Sequence, residues 1–287
     1  PKKFASLFNC EDCTGDYLRD CKNCEYCFDL PKSENSKYIW TGIVVQNCMD
    51  CCYSGRQAEF CYECLSAFPA YNEIFSIYSW ESNNLFYCDY CFNCSNCFGC
   101  VGLKHKEYCI LNKQYTKEEY EKLVPKIIEH MQKTEEWGEF FPISLSPFAY
   151  NETVAQEYFS LTKEECLEKD YKWKDDDTIL QYQGPIYEIP ENITNVKDDI
   201  TNAILKCEAT GKLYKIIPQE LKFYREMNLP IPKRCPDQRH KDRMALRNPR
   251  KLFDRSCMKC DVEIKTTYAP ERPEIVYCEK CYLEKVY

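Results

Sequence analysis

Between Cys10 and Cys109 the chain places sixteen of its 23 cysteines, and within clusters they recur mostly at an interval of three. The clusters are Cys10-Cys13, Cys21-Cys24-Cys27, Cys48-Cys51-Cys52, Cys61-Cys64 and Cys88-Cys91-Cys94-Cys97-Cys100, followed by Cys109. A strand repeats its faces every second residue and a helix about every 3.6, so a sustained interval of three suits neither. Three readings remain. Short strands around Tyr26-Cys27-Phe28, Cys48-Met49-Asp50, Glu63-Cys64-Leu65, Ile74-Phe75-Ser76, Phe86-Tyr87-Cys88, Phe98-Gly99-Cys100 and Tyr108-Cys109-Ile110 can be turns of an irregular β-solenoid, with cysteine buried as a small filler. The Cys-x-x-Cys pairs can instead be zinc knuckles. Or the run from Cys88 to Cys100 clasps an iron–sulfur cluster, although it lacks the longer final gap and trailing proline of the bacterial ferredoxin pattern.

The cysteine count also bounds the setting. An odd number in a chain of 287 residues, without an export leader or a long apolar run, reads as reduced thiols in a cytoplasmic protein that does not enter a membrane. With only His105, His130 and His240 available, any metal ligands are mostly sulfur, which selects zinc or iron–sulfur over magnesium or calcium. His105 lies near Cys100 and Cys109, the pairing a thiol enzyme would use, but such nearness is expected by chance. Eight glycines and the lack of phosphate-loop, Gly-x-Ser-x-Gly and His-Glu-x-x-His patterns argue against the common enzyme classes.

The chain divides into four regions. Residues 1–112 form the cysteine-rich β region, in which Phe75–Trp80 alternates like a half-buried strand and Gly99 and Gly102 mark a turn. Residues 113–174 are helical. Capping boxes stand at Thr116–Glu119 and Thr162–Glu165, Asn151 is placed to cap another helix, Pro125 interrupts the first helix, and Tyr120, Leu123, Ile127, Ile128 and Met131 make its apolar stripe. Residues 175–199 read as an acidic, Pro- and Asn-rich linker with Asp175, Asp176 and Asp177 on a solvated surface. Residues 200–287 hold two small modules. The fold class is α+β.

The last module carries the strongest motif. Cys257-Met-Lys-Cys260 and Cys278-Glu-Lys-Cys281 give two knuckles whose four thiolates can close a tetrahedron around one zinc ion, a zinc ribbon. Val262, Ile264, Thr266 and Tyr268 alternate along one strand, and Ile275-Val276-Tyr277 is expected to pair back against it. Upstream, residues 205–246 resemble the probable zinc-ribbon family: a knuckle, a strand, a short helix with Phe223-Tyr224, then a Pro-x-x-Cys-x-x-Cys knuckle. Here Thr210 and Gln238 replace the second cysteine of each pair, leaving Cys207 and Cys235. The module has then given up its metal, or Cys207, Cys235 and His240 form an open three-ligand site of the catalytic kind. The whole chain also resembles a group of cysteine-rich proteins of bacteria with small genomes, through Phe98–Leu103, Tyr108–Lys113 and Arg272–Cys278, a group with no activity to carry over.

Against a net charge of −8, the basic residues concentrate between the two modules: Lys233, Arg234, Arg239, Lys241, Arg243, Arg247, Arg250, Lys251 and Arg255. A helix over 237–247 would turn Met244 and Leu246 inward and present part of this set. The patch can meet the phosphates of RNA, DNA or a nucleoprotein complex, or it can balance the −2 charge of a zinc–tetrathiolate centre. The sequence thus points to a non-enzymatic zinc protein contacting nucleic acid. The alternatives are a protein-interaction scaffold with structural zinc and an aromatic surface, and a metal- or thiol-dependent enzyme.

Overall fold

In the first hundred residues a left-handed backbone recurs at every third position. Asp20, Asn23, Tyr26, Asp29, Lys32, Asn35 and Tyr38 all have φ between 50° and 55°, and the interval returns at Tyr87, Tyr90, Asn93 and Asn96. Each such residue turns a corner, and four three-residue sides close one coil. Successive coils pair in parallel twelve residues apart, as in Cys24↔Ser36, Ser82↔Ala70, Leu85↔Cys97 and Cys97↔Cys109. One coil has thirteen residues, pairing Met49 with Tyr62, and the first has eleven, pairing Leu7 with Leu18. The computed structural model describes residues 1–175 and 182–286; Asp176 and Asp177 lie outside the described residues. The fold is α+β: a β-solenoid followed by small helical and ribbon-like elements, with six α-helices among the described residues. None of these is long and apolar enough to cross a membrane.

A non-glycine corner of this kind costs roughly 1–2 kcal/mol, and the side chains found there offset it. Asparagine tolerates the conformation and builds ladders: Asn72 donates to Asn84 Oδ1 at 2.7 Å, and Asn84 to Asn96 Oδ1 at 3.1 Å. Aromatic corners stack coil on coil, Phe75 on Tyr87 with ring centres 4.8 Å apart and Tyr78 on Tyr90 at 5.1 Å. Gly15, at φ +144°, sits where a Cβ would fall 1.8 Å from the Cys27 carbonyl oxygen, so the first two coils approach through backbone alone.

The residue after each corner points inward, giving four interior columns. One column runs Cys24, Ser36, Cys48, Cys61, Glu73, Leu85, Cys97, Cys109; the next runs Cys27, Ile39, Cys51, Cys64, Ser76, Cys88, Cys100, and all of these are buried. Cysteine and serine interchange because both reach the same two carbonyls. The Cys24 thiol lies 3.5 Å from Lys22 O and 3.4 Å from Ser33 O, and the Ser76 hydroxyl lies 3.2 Å from Ile74 O and 3.4 Å from Leu85 O. The interval of three is therefore the corner repeat, and the run Cys88 to Cys100 travels once around the core instead of clasping a cluster. Phe75–Trp80 is likewise two sides of a coil and not a strand: Ser76 and Ser79 are buried while Tyr78 and Trp80 face outward. Gly99 and Gly102, at φ +62° and +71°, are corners of the same kind. Glu73 is an exception in the interior, fully buried with neither carboxyl oxygen hydrogen-bonded.

The last coils are covered by the helix Lys117–Lys133, which starts from the Thr116–Glu119 capping box and continues through Pro125. Tyr120 and Val124 are buried against Phe98 and Ile110, with Leu123, Ile127, Ile128, Met131 and Trp137 packed around them. By backbone contacts the chain forms two units, Pro1–Ser146 with Pro249–Tyr287, and Pro147–Asn248.

In the second unit the Asn151 side chain brackets the Lys174 backbone, with bonds of 2.8 and 3.0 Å, instead of capping a helix; Ala155–Tyr158 begins after Val154. The Thr162 box does open the helix Lys163–Glu168. Ile193, Val196 and Ile200 join Leu205, Tyr214 and Leu221 in one core, so part of the Pro- and Asn-rich stretch is structural. The helix Pro236–Ala245 matches the expected one, but Leu246 is 86% exposed because the helix ends before it.

Candidate metal centre

Strands Phe253–Ser256 and Glu263–Thr266 pair antiparallel, and the turn between them holds Cys257 and Cys260. Cys257 N donates to Val262 O at 2.8 Å and Asp261 N to Cys257 O at 2.9 Å, with Asp261 left-handed at φ 58°. That closes the first knuckle. Val276–Tyr277 then leads into Cys278, and Cys281 sits on the opening turn of the helix Glu279–Val286.

The expected pairing of residues 275–277 with the preceding strand does not form. One edge of Glu263–Thr266 is taken by Phe253–Ser256, and its buried residues turn to the solenoid, where Thr266 Oγ1 donates to Phe4 O (2.6 Å) and Thr267 Oγ1 to Asp16 Oδ2 (2.8 Å). Val276–Tyr277 pairs instead in parallel with Lys2–Lys3, and Lys3 Nζ reaches Glu279 Oε1 at 2.6 Å. The cysteine tetrad is thus joined to the first coil at the solenoid's opening end.

The four sulfurs of Cys257, Cys260, Cys278 and Cys281 all lie within 4.8 Å of one another. Among the described residues this is the one group of three or more His, Cys, Asp or Glu donors so closely gathered, and it could hold a metal ion. Burial opposes ionisation of Cys257, but N–H groups of Cys278, Lys259 and Cys260 aimed at its sulfur bring it down to about 6. Burial and the three neighbouring sulfurs push Cys281 up to about 12. One thiolate is ready, and a cation that neutralises the rest must displace their protons. Cys257 and Cys281 are buried; Cys260 is exposed and Cys278 half-buried. These last two look into a cavity of about 560 Å³ between ribbon and first coil, lined also by Phe4, Leu7, Cys13 and Ile264.

The upstream module repeats the backbone bonding. Cys207 N donates to Lys212 O and Gly211 N to Cys207 O, both at 2.9 Å, and Gly211 takes the left-handed place of Asp261. Glu208 N donates to Lys233 O at 3.1 Å just as Met258 N does to Val276 O at 3.1 Å. Against burial, the Thr210 hydroxyl and the N–H groups of Cys235, Thr210 and Ala209 bring Cys207 to about 6. Hydrogen bonds stand where the other module has a further sulfur of its tetrad. Gln238 turns to Asp242 (2.8 Å), and His240 Nε2 lies 2.7 Å from Glu157 Oε1, so Cys207, Cys235 and His240 are not assembled as an open site. His105 likewise occupies an outward corner while Cys100 and Cys109 are buried.

The basic residues are mostly committed. Lys233 pairs with Glu191, Arg234 with Glu208 and Asp242, and Arg239 with Glu220 and the Tyr224 hydroxyl. Arg250, its side chain only 9% exposed, lies on Asp29 at 2.6 Å and on Thr41, tying the C-terminal segment to the solenoid flank. Lys251 stands over the Phe253 ring and Arg255 donates to Ala269 O. Lys241, Arg243 and Arg247 stay exposed. Sequence reading missed the N-terminal strand and the Arg250–Asp29 contact, since residues 221 apart carry no local signal. No protein-family model matches the chain, and no curated protein matches it.

Proposed function

We propose that the chain is a non-enzymatic scaffold, a solenoid whose opening end is locked by one structural zinc and whose outer faces receive a protein partner. The observation that carries it is the bonding of the ribbon into the first coil, which makes the metal part of the solenoid's closure. Four sulfurs within tetrahedral reach and no oxygen donor support zinc over harder cations. The exposed Tyr78 and Tyr90, stacked on one another, and the exposed Trp80, edge-on to Phe92, support a protein-facing surface. On this reading residues 205–246 are a zinc ribbon that exchanged its metal for the Thr210 hydroxyl, and the buried thiols belong to a reducing, cytoplasmic setting.

Contact with nucleic acid is the second reading. It is favoured by Lys241, Arg243 and Arg247 exposed along one helix and its exit, and weakened by the carboxylates that already hold Lys233, Arg234, Arg239 and Arg250. Binding of a labelled oligonucleotide pool at rising salt separates the two. Retention at low salt that falls steeply with salt and is lost in Lys241→Glu/Arg243→Glu establishes the second reading; no retention even at low salt leaves the scaffold. Metal analysis giving one zinc per chain, with chelation opening residues 253–286 to protease, is the expected result for the first.

A further inference from the structure

We propose that the ring of Cys48, Cys51, Cys61 and Cys64 inside the solenoid binds a soft monovalent cation of the Cu(I) class. Here two Cys-x-x-Cys pairs lie on successive coils, held in register by Met49 N to Cys61 O and Cys52 N to Cys64 O, both 3.0 Å. Each sulfur has two ring neighbours close enough to act on its proton: Cys51 and Cys61 beside Cys48, and the same two beside Cys64. The four are between 0% and 3% exposed.

Through much of the interior the thiols are diluted with serine, alanine and aliphatic side chains, and in the other dense stretch Cys91, Cys88, Cys100, Cys97 and Cys109 neighbour one another in an open line, not a closed ring. The ring is bounded by Ser36 and Ile39 on one side and by Glu73 and Ser76 on the other. A thiol acting only as filler needs no thiol neighbours, and a closed ring exceeds that need. Its geometry also differs from the ribbon's. No three of these sulfurs gather within the 4.8 Å that all four ribbon sulfurs share, which disfavours a tetrahedral dication. Each edge of the ring instead offers two thiol sulfurs shielded from solvent, which on losing their protons give the two-coordinate site a d¹⁰ monovalent ion accepts, and soft sulfur suits Cu(I). Binding at one edge forms two Cu–S bonds and releases the two thiol protons to solvent. The copper arrives and stays as Cu(I), so no oxidant or reductant is consumed.

The test uses the reduced, zinc-loaded full chain, titrated anaerobically with Cu(I) against a competing Cu(I) chelator. Expected are copper retained against the chelator, near-ultraviolet thiolate-to-copper absorption, and zinc content unchanged. Cys48→Ser/Cys64→Ser, which takes one sulfur from every edge of the ring, should lower copper affinity by roughly 100-fold or more. Because serine already serves at equivalent interior positions, this variant should keep the wild-type circular dichroism. Cys94→Ser, outside the ring, should bind copper as the wild type does. The proposal is overturned if the wild type holds copper only by displacing zinc, or if the double variant binds as tightly. Should the double variant fail to fold, copper X-ray absorption on the wild type decides: two-coordinate sulfur supports the ring, and a nitrogen or oxygen shell refutes it.

Discussion

The solenoid and the ribbon both spell Cys-x-x-Cys, and the motif has a different physical origin in each. In the solenoid the spacing is the length of one side of a coil, so neighbouring cysteines of the motif face different interior columns. In the ribbon it is the span of a knuckle in which a left-handed Asp261 brings Cys257 and Cys260 to one point. The spacing alone does not distinguish them, but the surrounding sequence does. Solenoid pairs repeat with serine standing in for cysteine, whereas the ribbon pairs are isolated and matched by a second pair. Thiols in the first setting fill space and donate to carbonyls. Thiols in the second crowd together, which costs free energy until a cation neutralises them.

The comparison breaks most sharply at the ribbon. Cys257→Ser/Cys260→Ser should abolish metal binding, and because metal binding in such modules supplies on the order of 10 kcal/mol of folding free energy, residues 253–286 should become protease-sensitive. Metal content and limited proteolysis check it together; an intact, metal-bearing segment would remove the assignment. Since burial raises Cys281 to about 12, its thiol must lose a proton on binding, and zinc affinity in a competition titration should increase with pH from 6 to 8.

The companion module sharpens the same contrast in reverse. Thr210→Cys/Gln238→Cys restores the missing sulfur of each knuckle on a backbone that already repeats the Cys257 hydrogen bonds. The metal content should rise by one ion per chain, and the thermal midpoint of the second unit should rise when zinc is in excess. An unchanged metal count would mean that Cys207 and Cys235 do not converge as Cys257 and Cys278 do.

Glu73 tests the solenoid interior. Burial holds its carboxyl well above the usual range, so the folded chain keeps it protonated where the unfolded chain ionises it. A raised folded value gives stability that is fully present below the unfolded value near 4.5 and is lost as pH climbs from there. Glu73→Gln should therefore melt more than about 2 °C above the wild type at pH 8, with the gap closing toward pH 4. A gap independent of pH would mean that the carboxyl is already ionised in the folded chain.

How much of this was legible depends on the range of each signal. The tetrad, both capping boxes and the helix stripe at Tyr120–Met131 are local patterns, and each stands where the spacing placed it. The solenoid was legible as a class, yet its coil of twelve was not, because the corner is set by backbone conformation and is filled by residues as unlike as Asn23, Tyr26, Asp29 and Lys32. Reading Phe75–Trp80 as a strand failed for the same reason: Ser76 and Ser79 take the interior positions, Tyr78 and Trp80 face outward, and Phe75 is buried with Tyr120 and Val124 of the covering helix. The ribbon's pairing with Lys2–Lys3 depends on contact between the two ends of the chain, which no local pattern encodes.

The smallest expected effect tests the other half of the comparison. Cys24 is fully buried, and its thiol donates to the carbonyls of Lys22 and Ser33, the same relative positions that Ser76 serves with a hydroxyl. If the solenoid thiols outside a ring are structural filler, Cys24→Ser should cost about 1 kcal/mol or less, since the hydroxyl recovers both hydrogen-bond options. Cys24→Leu, by contrast, forces extra volume into a column whose next member is Ser36, and should cost about 1–3 kcal/mol. Chemical denaturation of the two variants beside the wild type reads the difference directly. A serine variant worse than the leucine one would show that sulfur at Cys24 does more than fill space, and would align this column with the ribbon.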